Sequence, residues 1–177
     1  MKHFILTLLI ATTMQIDTIF KFEKTSDITN WTVVNDAVMG GKSSGAFTLN
    51  ETGHGVYTGH VSLENNGGFS SLRYRFNDIS TEGFSKVILK IKGDGKNYQF
   101  RVKSKLTDKH SYIALFSSSK TWEVIEISLA DMYPAFRGRK LDIPNFDANS
   151  IEEVAFLIGN KTAEDFKLEI DSILLKQ

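Results

Sequence analysis

The chain has 177 residues, 41% of them hydrophobic and 24% charged, a composition typical of a folded globular protein and not of a disordered one. Its 21 basic residues balance its 21 acidic residues, so no basic excess points to nucleic acid or to an anionic membrane as a partner. The absence of cysteine excludes disulfides, thiolate catalysis and cysteine-ligated metals. We therefore expect packing and backbone pairing alone to stabilise the fold.

The N-terminus differs in character from the rest of the chain. Lys2 and His3 precede an apolar run over residues 4–11, and a cationic start followed by a short apolar stretch is typical of an export signal. This run is too short to span a bilayer as a helix, and no later segment is long and apolar enough to do so. We expect residues 1–15 to direct the chain to the periplasm or cell envelope. The alternative is an uncleaved strand or helix packed on a cytoplasmic protein.

From residue 16 onward the chain alternates as β-strands do. In residues 70–76, for example, Leu72, Tyr74 and Phe76 point one way and the polar side chains between them the other, which indicates a strand with one buried face. The same pattern recurs along the chain, and the predicted strands lie near residues 19–22, 31–34, 46–49, 56–63, 70–76, 87–92, 98–103, 112–116, 123–129, 154–158 and 166–175.

The segments between these strands carry turn signals. Gly93–Gly95 contains an Asp-Gly pair and predicts a hairpin. Short helical turns are expected at Leu129–Tyr133 and Asn149–Glu153, and the stretch 134–149, which contains both prolines, is expected to form a long loop. Many short strands with few helical signals predict an all-β sandwich or barrel, which we assign as one domain over residues 16–177.

The candidate functional region consists of two polar stretches between strands, Asn35–Ser43 and Glu64–Ser71. Side-chain amides, carboxylates and glycines concentrate there, and such clusters form either tight turns or a polar site on a rigid sheet. Two arginines on strand faces opposite the presumed core residues complete the set of partner- or ligand-binding candidates: Asn35, Asp36, Met39, Gly40, Gly41, Glu64, Asn65, Asn66, Phe69, Ser70, Arg73 and Arg101. The structural alternative is that these groups hydrogen-bond loop backbones or pair with one another.

The same region contains residue types that occur in catalytic and metal-binding sites. Gly41-Lys42-Ser43 lacks the upstream glycine and the following helix of a phosphate-binding loop. Asp36 and Glu64 form a two-carboxylate hydrolase only if the fold brings them to the two sides of a substrate. Calcium binding stays open, because carboxylate and amide oxygens are suitable ligands, although no known ligand spacing is present. We predict no catalytic residues, no metal and no cofactor.

A family resemblance rests on these same stretches. The matching residues run from Trp31 through Asn35-Asp36, residues 38–41, Ser43, Gly45 and Phe47, and on through residues 61–71, Arg73, Gly93–Gly95, Tyr98, Phe100-Arg101, Trp122 and Phe136–Arg139. In these positions the chain resembles the complex I intermediate-associated protein family, and the resemblance covers nearly everything after Asp17.

The resemblance implies a jelly-roll β-sandwich of the galactose-binding-domain-like kind. It also implies a non-enzymatic assembly or chaperone-like factor for a protein partner, since the family takes its name from assembly of respiratory complex I, the NADH:ubiquinone oxidoreductase. The alternative function is a carbohydrate-binding module of the cell envelope, in which Trp31, Phe69 or Trp122 stacks on a sugar ring. The partner is then a protein or a glycan and not a nucleic acid. The sequence does not determine the oligomeric state.

Overall fold

The structure, a computed structural model, describes residues 15–177, except for the side chains of Val38 and Met39. The described chain folds into two antiparallel sheets. The six-stranded sheet contains β1 (Ile16–Lys21), β3 (Ser44–Leu49), β4 (Gly55–Val61), β6 (Lys86–Lys92), β9 (Glu123–Ser128) and β13 (Glu164–Lys176). The seven-stranded sheet contains β2 (Trp31–Asn35), β5 (Ser70–Ser80), β7 (Asn97–Lys103), β8 (Ser111–Ser117), β10 (Tyr133–Phe136), β11 (Arg139–Lys140) and β12 (Ser150–Ile158).

The strand order makes most pairings long-range. The six-stranded sheet runs β3-β4-β13-β6-β9, with β1 also paired to β13, and the seven-stranded sheet runs β11-β10-β8-β7-β12-β5-β2. β13 therefore pairs antiparallel with β4, β6 and β1. In the seven-stranded sheet, β12 lies between β5 and β7, so it aligns residues from three separate parts of the sequence.

Alternate side chains of the strands build the core between the two sheets. Val87, Leu89 and Ile91 of β6 are fully buried, and Leu72 of β5 is buried in the same core. Complete burial of a side chain of this size contributes about 1.5–3 kcal/mol of transfer free energy. The alternation predicted from the sequence is confirmed, and the described chain is an all-β sandwich.

The turn at Gly93–Gly95 does not close a hairpin, and that prediction is wrong. Gly95 has the positive φ of 91° that an Asp-Gly turn favours, but β6 and β7 belong to different sheets. Asp94 stabilises this crossing, because its carboxylate accepts hydrogen bonds from the Tyr98 hydroxyl at 3.1 Å and from the Lys167 backbone N–H at 3.0 Å. The turn thus links the two sheets to each other.

The helical turn predicted at Asn149–Glu153 is also wrong, because β12 begins at Ser150. Ile151 is fully buried, and the residues after it pair with both β5 and β7, so tertiary pairing outweighs the local capping pattern. Glu153 tolerates this buried position because its carboxylate accepts a hydrogen bond from Arg75 Nε at 2.8 Å.

The stretch 134–149 is only partly the loop that the sequence predicts. Its first residues form β10 and β11, which extend the seven-stranded sheet, and Phe146 in the remaining loop is buried against the core. The single helical turn predicted ahead of Pro134 is confirmed, since residues Leu129–Asp131 form a 3-10 turn.

The predicted export signal lies outside the described residues apart from Gln15, so it stays a prediction. The first described strand, β1, pairs with β13 from Ile16 to Lys21. Over residues 15–177, helices reach neither the length nor the apolarity that crossing a bilayer requires.

Candidate functional site

The two polar stretches meet around Asp36, and we call this region (residues 36–43 and 64–69) the loop junction. Asp36 is only 1% exposed. Its Oδ1 accepts a hydrogen bond from the Ser43 backbone N–H at 2.9 Å, and its Oδ2 accepts from the backbone N–H groups of Gly68 at 2.6 Å and Phe69 at 3.2 Å. The Ser43 hydroxyl also donates to Oδ2. One buried carboxylate therefore holds both loops together.

The hydrogen bonds keep this buried carboxyl ionised. Burial by itself raises the pKa of Asp36, but the donors from Ser43, Gly68 and Phe69 together outweigh that effect and lower the pKa below its ordinary value. Hydrogen bonds from N–H and O–H groups of the protein thus stabilise the negative charge. A carboxylate enclosed in this way is not accessible to a substrate. Asp36 and Glu64 consequently do not form the exposed pair that the hydrolase hypothesis requires.

Two glycines make room for the carboxylate. A Cβ atom at Gly41 would lie 2.3 Å from Asp36 Oδ1, and a Cβ atom at Gly67 would lie 2.6 Å from Oδ2. Both distances are shorter than any non-bonded contact allows, so any larger residue would displace the backbone that donates to Asp36. These glycines serve the close approach of the two loops.

Other candidates at the loop junction also support its backbone. Asn65 Nδ2 donates to the Gly40 carbonyl at 3.1 Å, and Glu64 forms an exposed ion pair with Lys42. Asn66 is exposed and has a φ of 59°, a left-handed conformation that asparagine adopts more readily than most residues. Met39 belongs to the 3-10 turn Asp36–Met39, and its side chain lies outside the described part of the structure.

Asn35 and Ser70 belong to a buried hydrogen-bonded chain beside the loop junction. The Tyr57 hydroxyl donates to Ser70 Oγ at 2.7 Å, and Ser70 Oγ donates to Asn35 Oδ1 at 2.6 Å. Tyr57 and Ser70 are fully buried. Because β4 supplies Tyr57 while β2 and β5 supply the other two, this chain connects the two sheets.

A cleft of about 540 Å³ lies on the outer face of the seven-stranded sheet, opposite the core. Its volume falls within the range of small-molecule sites. Outward-facing side chains of β5, β7 and β12 form its floor, and the turn between β10 and β11 forms part of its rim. Gln99, Arg101 and Lys103 of β7 line it, alternating with core residues of the same strand.

Two arginines face each other across the floor of the cleft. Ala155 of β12 pairs with Arg101 on one side and with Arg73 of β5 on the other, so both guanidinium groups flank a small side chain. Arg101 donates from Nε to Gln99 Oε1 at 2.9 Å. Burial, and to a smaller degree the charge of Arg73, lowers the pKa of Arg101 to about 10, so Arg101 remains protonated at neutral pH.

The cleft lining is strongly biased toward positive charge. Among residues 15–177, the charged side chains that line it are five basic ones and one carboxylate, that of Glu153. Glu153 is already bound to Arg75. Within residues 15–177, no carboxylate oxygen lies within 4.0 Å of the nitrogen atoms of Arg73 or Arg101. The arginines therefore differ from Asp36, whose charge is satisfied by the protein itself.

Aromatic side chains are distributed unevenly between the cleft and the rest of the surface. Phe69 and Phe136 line the cleft, and the Arg137 guanidinium lies 5.3 Å from the Phe136 ring centre. Trp31 is 7% exposed and packs in the core, whereas Trp122 packs against His54 with ring centres 4.5 Å apart and ring planes tilted by 52°. Of the three aromatics considered for sugar stacking from the sequence, only Phe69 lies in the cleft.

The sequence-derived candidates thus divide between two places. Arg73 and Arg101 line the cleft, Phe69 of the loop junction also borders it, and the other candidates lie in the loop junction or beside it. Sequence reasoning missed further cleft residues: Gln99, Lys103, Lys109, Phe136 and Arg137. The outward alternation of β7 is a signal for the first two, but the others require knowing that the sheet continues from β7 through β8 and β10 to β11. Among residues 15–177, no group of three or more histidine or acidic side chains is arranged to hold a metal.

Comparison with protein families matches residues 20–170 to the complex I intermediate-associated protein 30 family. The chain belongs to this family, as the sequence resemblance indicated. The match includes the whole loop junction and all three cleft residues named from the sequence.

Several solved structures with a similar fold are carbohydrate-binding modules. A family 11 module from Clostridium thermocellum, in complex with a β-1,3-1,4-mixed-linked tetrasaccharide, is 18% identical with a TM-score of 0.68, over 90% of this chain and 94% of that one. The family 11 module of the cellulosomal cellulase Lic26A-Cel5E of the same organism is 16% identical with a TM-score of 0.70, over 93% and 95%. A family 29 module is 11% identical with a TM-score of 0.52, over 93% and 90%. At these identities the similarity establishes the fold: a jelly-roll β-sandwich of the galactose-binding-like kind, as expected.

Proposed function

We propose that this chain is a non-enzymatic binding domain that holds a saccharide chain in the cleft of its seven-stranded sheet. One observation carries the proposal: Arg73, Gln99 and Arg101 converge on an open cleft that is bordered by Phe69 and Phe136. The sheet fixes the positions of these groups, because the strands that carry them are paired in register. A rigid polar floor with aromatic borders is a site prepared for a ligand.

The chemistry of the lining suits sugars. Guanidinium and carboxamide groups donate hydrogen bonds in fixed directions, and the oxygens of sugar hydroxyls accept them. Because Arg101 already donates to Gln99 Oε1, the amide NH₂ of Gln99 is the group that faces a ligand as a donor. The flat apolar ring of Phe136, 37% exposed, provides a surface on which the C–H face of a pyranose can pack. The fold similarity to glycan-binding modules supports this choice of ligand class but does not by itself establish it.

Isothermal titration calorimetry with a panel of neutral and acidic oligosaccharides tests the proposal. We expect Phe136→Ala to weaken binding about tenfold, because the variant loses the packing surface for the sugar. Trp122→Ala is the matched control, since Trp122 is also 37% exposed but packs against His54, outside the cleft. Equal losses from both variants, or a loss from Trp122→Ala alone, would place the binding surface elsewhere.

A second candidate function is an assembly or chaperone-like role toward a protein partner. Membership of the complex I intermediate-associated protein 30 family favours it. In this case the exposed side of the loop junction, including Lys42, Glu64 and Asn66, forms the contact surface. Affinity capture with the variant Lys42→Ala/Asn66→Ala should then lose a protein client that Phe136→Ala retains. Client lists identical to wild type for the loop variant would count against this role.

Export of the chain to the cell envelope is part of the main proposal, because it brings the cleft to extracellular or periplasmic glycans. The cationic and apolar start of residues 1–15 supports it. Fractionation of cells that express the full chain checks it, and recovery of the protein solely from the cytoplasm would contradict it.

A further inference from the structure

The arginine pair in the cleft receives no counter-charge from residues 15–177. Arg73 and Arg101 lie on either side of Ala155, two strand spacings or about 10 Å apart at the backbone. The methyl group of Ala155 is the only side chain between them in this row, and no carboxylate of residues 15–177 lies within 4.0 Å of either guanidinium.

This arrangement of two nearby positive charges raises the free energy of the folded protein. Arg101 is half-buried, so its charge is partly removed from water, and the charge of Arg73 repels it. An anionic group placed between the two guanidiniums relieves both effects, and it meets two planar sets of N–H donors that match the oxygens of a carboxylate or a sulfate.

The surroundings of the pair extend the same preference. Lys103, Lys109 and Arg137 line the cleft as well, and its one carboxylate, Glu153, is bound to Arg75. The chain as a whole has no net charge, so this accumulation of basic groups is local to the cleft. Neutral sugars need no such accumulation, because uncharged amides and hydroxyls also provide hydrogen-bond partners for sugar hydroxyl groups.

We infer that the cleft takes an acidic glycan, with a carboxylate or sulfate group of the sugar chain seated over Ala155 between Arg73 and Arg101. This inference rests on the proposed function and specifies its ligand class. The aromatic rings of Phe69 and Phe136 favour a sugar over a purely ionic partner such as an acidic peptide, because a glycan presents apolar ring faces as well as charge.

Calorimetry on the full chain with charge-matched probes tests the inference. Oligogalacturonate and its methyl ester share one sugar backbone and differ in charge, while dextran sulfate and dextran form the corresponding sulfate pair. We expect at least one acidic probe to bind ten times more tightly than its neutral counterpart, and its affinity to fall with added salt. Arg101→Gln should weaken that binding tenfold or more, whereas Lys90→Gln on the outer face of the other sheet should leave it unchanged.

Each outcome bears on one or both proposals. Equal binding of acidic and neutral probes, abolished by Phe136→Ala, would overturn the acidic preference and leave the glycan-binding function in place. Binding of hexaglutamate without binding of any glycan would overturn both in favour of an acidic peptide. Failure of all these probes to bind a folded protein, judged by its thermal unfolding, would likewise overturn both. Unchanged acidic-probe affinity in Arg101→Gln and in Arg73→Gln would overturn the assignment of the arginine pair.

Discussion

The loop junction and the cleft are both rich in polar side chains, yet they use them in opposite ways. At the loop junction, the buried carboxylate of Asp36 accepts hydrogen bonds from Ser43 and from the backbone of residues 68 and 69. In the cleft, Arg73 and Arg101 flank Ala155, with no carboxylate of the described residues within ion-pair distance. The carboxylate of Asp36 is thus satisfied within the protein, whereas the two guanidinium groups of the cleft face outward.

This difference distinguishes polar side chains that stabilise the fold from polar side chains that bind a ligand, and it does so better than residue type. A buried charge that the protein satisfies stabilises the fold, so its removal is destabilising. A half-buried charge that the protein leaves unsatisfied raises the free energy of the folded state, and such a group persists where function requires it. Whether a substitution lowers or raises the free energy of unfolding therefore tests whether the residue stabilises the fold or serves ligand binding.

The largest effect is expected for Asp36→Asn. The amide keeps one acceptor oxygen but places an NH₂ group against the N–H groups of Gly68 and Phe69, so buried donors are left unsatisfied. We expect the free energy of unfolding in urea to fall by about 3 kcal/mol. Asp165→Asn, at a side chain 92% exposed, is the control and should change it by less than about 0.5 kcal/mol. A loss below about 1 kcal/mol for Asp36→Asn would mean that the carboxylate is not the link between the loops.

Acid should remove part of the same contribution. Because the folded-state pKa of Asp36 is lowered, its carboxylate stabilises the protein fully above the unfolded-state pKa, near 3.8. That stabilisation is lost as the pH falls through the lower, folded-state pKa. Urea unfolding of the wild type and Asp36→Asn from pH 7 down to about pH 3 should show their difference narrowing at the acid end. A difference that is independent of pH would exclude this role of the charge.

A smaller loss is expected for Arg75→Met, which lies next to the cleft but has a partner. The side chain of Glu153 is 5% exposed, and removing Arg75 leaves this carboxylate buried without its counter-charge. Since Arg75 is itself 60% exposed, we expect a moderate loss of about 2 kcal/mol in the free energy of unfolding. If the double variant Arg75→Met/Glu153→Gln regains the wild-type free energy of unfolding, the unpaired charge of Glu153 is the cause of the loss in Arg75→Met.

The smallest and most diagnostic effect is expected for Arg101→Met. The substitution removes a half-buried charge and its repulsion with Arg73, and it gives up only the hydrogen bonds to Gln99. We expect the free energy of unfolding to rise by about 1 kcal/mol while glycan affinity falls. A clear loss of stability, comparable to that of Arg75→Met, would show that Arg101 is a structural residue and would remove the contrast between the two regions.

Most of the fold is predictable from local pattern, and the exceptions have a common physical cause. Period-2 alternation identifies strands such as β6, where Val87, Leu89 and Ile91 are all buried. It does not tell which sheet a strand joins, so the Asp-Gly turn after β6 predicts a hairpin where the chain changes sheets. The start of β12 is missed for a similar reason, since the capping pattern at Asn149–Glu153 is local and the strand pairing that overrides it is not.

The candidate site is only partly predictable because its residues are distant in sequence. Arg73 and Arg101 are recognisable as polar residues on strand faces, and both line the cleft. The contribution of Phe136 depends on β10 joining β8, which no local signal reveals in a stretch expected to be a loop. Conversely, the density of polar residues around Asp36 suggests a ligand site. Only the three-dimensional structure reveals that the carboxylate oxygens of Asp36 already accept hydrogen bonds from the protein.

The placement of β13 constrains how a nascent chain acquires this fold. Residues Glu164–Lys176 lie between β4 and β6 and also pair with β1, so none of those three strands meets this partner before the ribosome has made the end of the described chain. The six-stranded sheet is then completed only after synthesis of β13, by slow closure of long-range contacts. Until that moment the apolar faces of the earlier strands are open to chaperones, and also to aggregation.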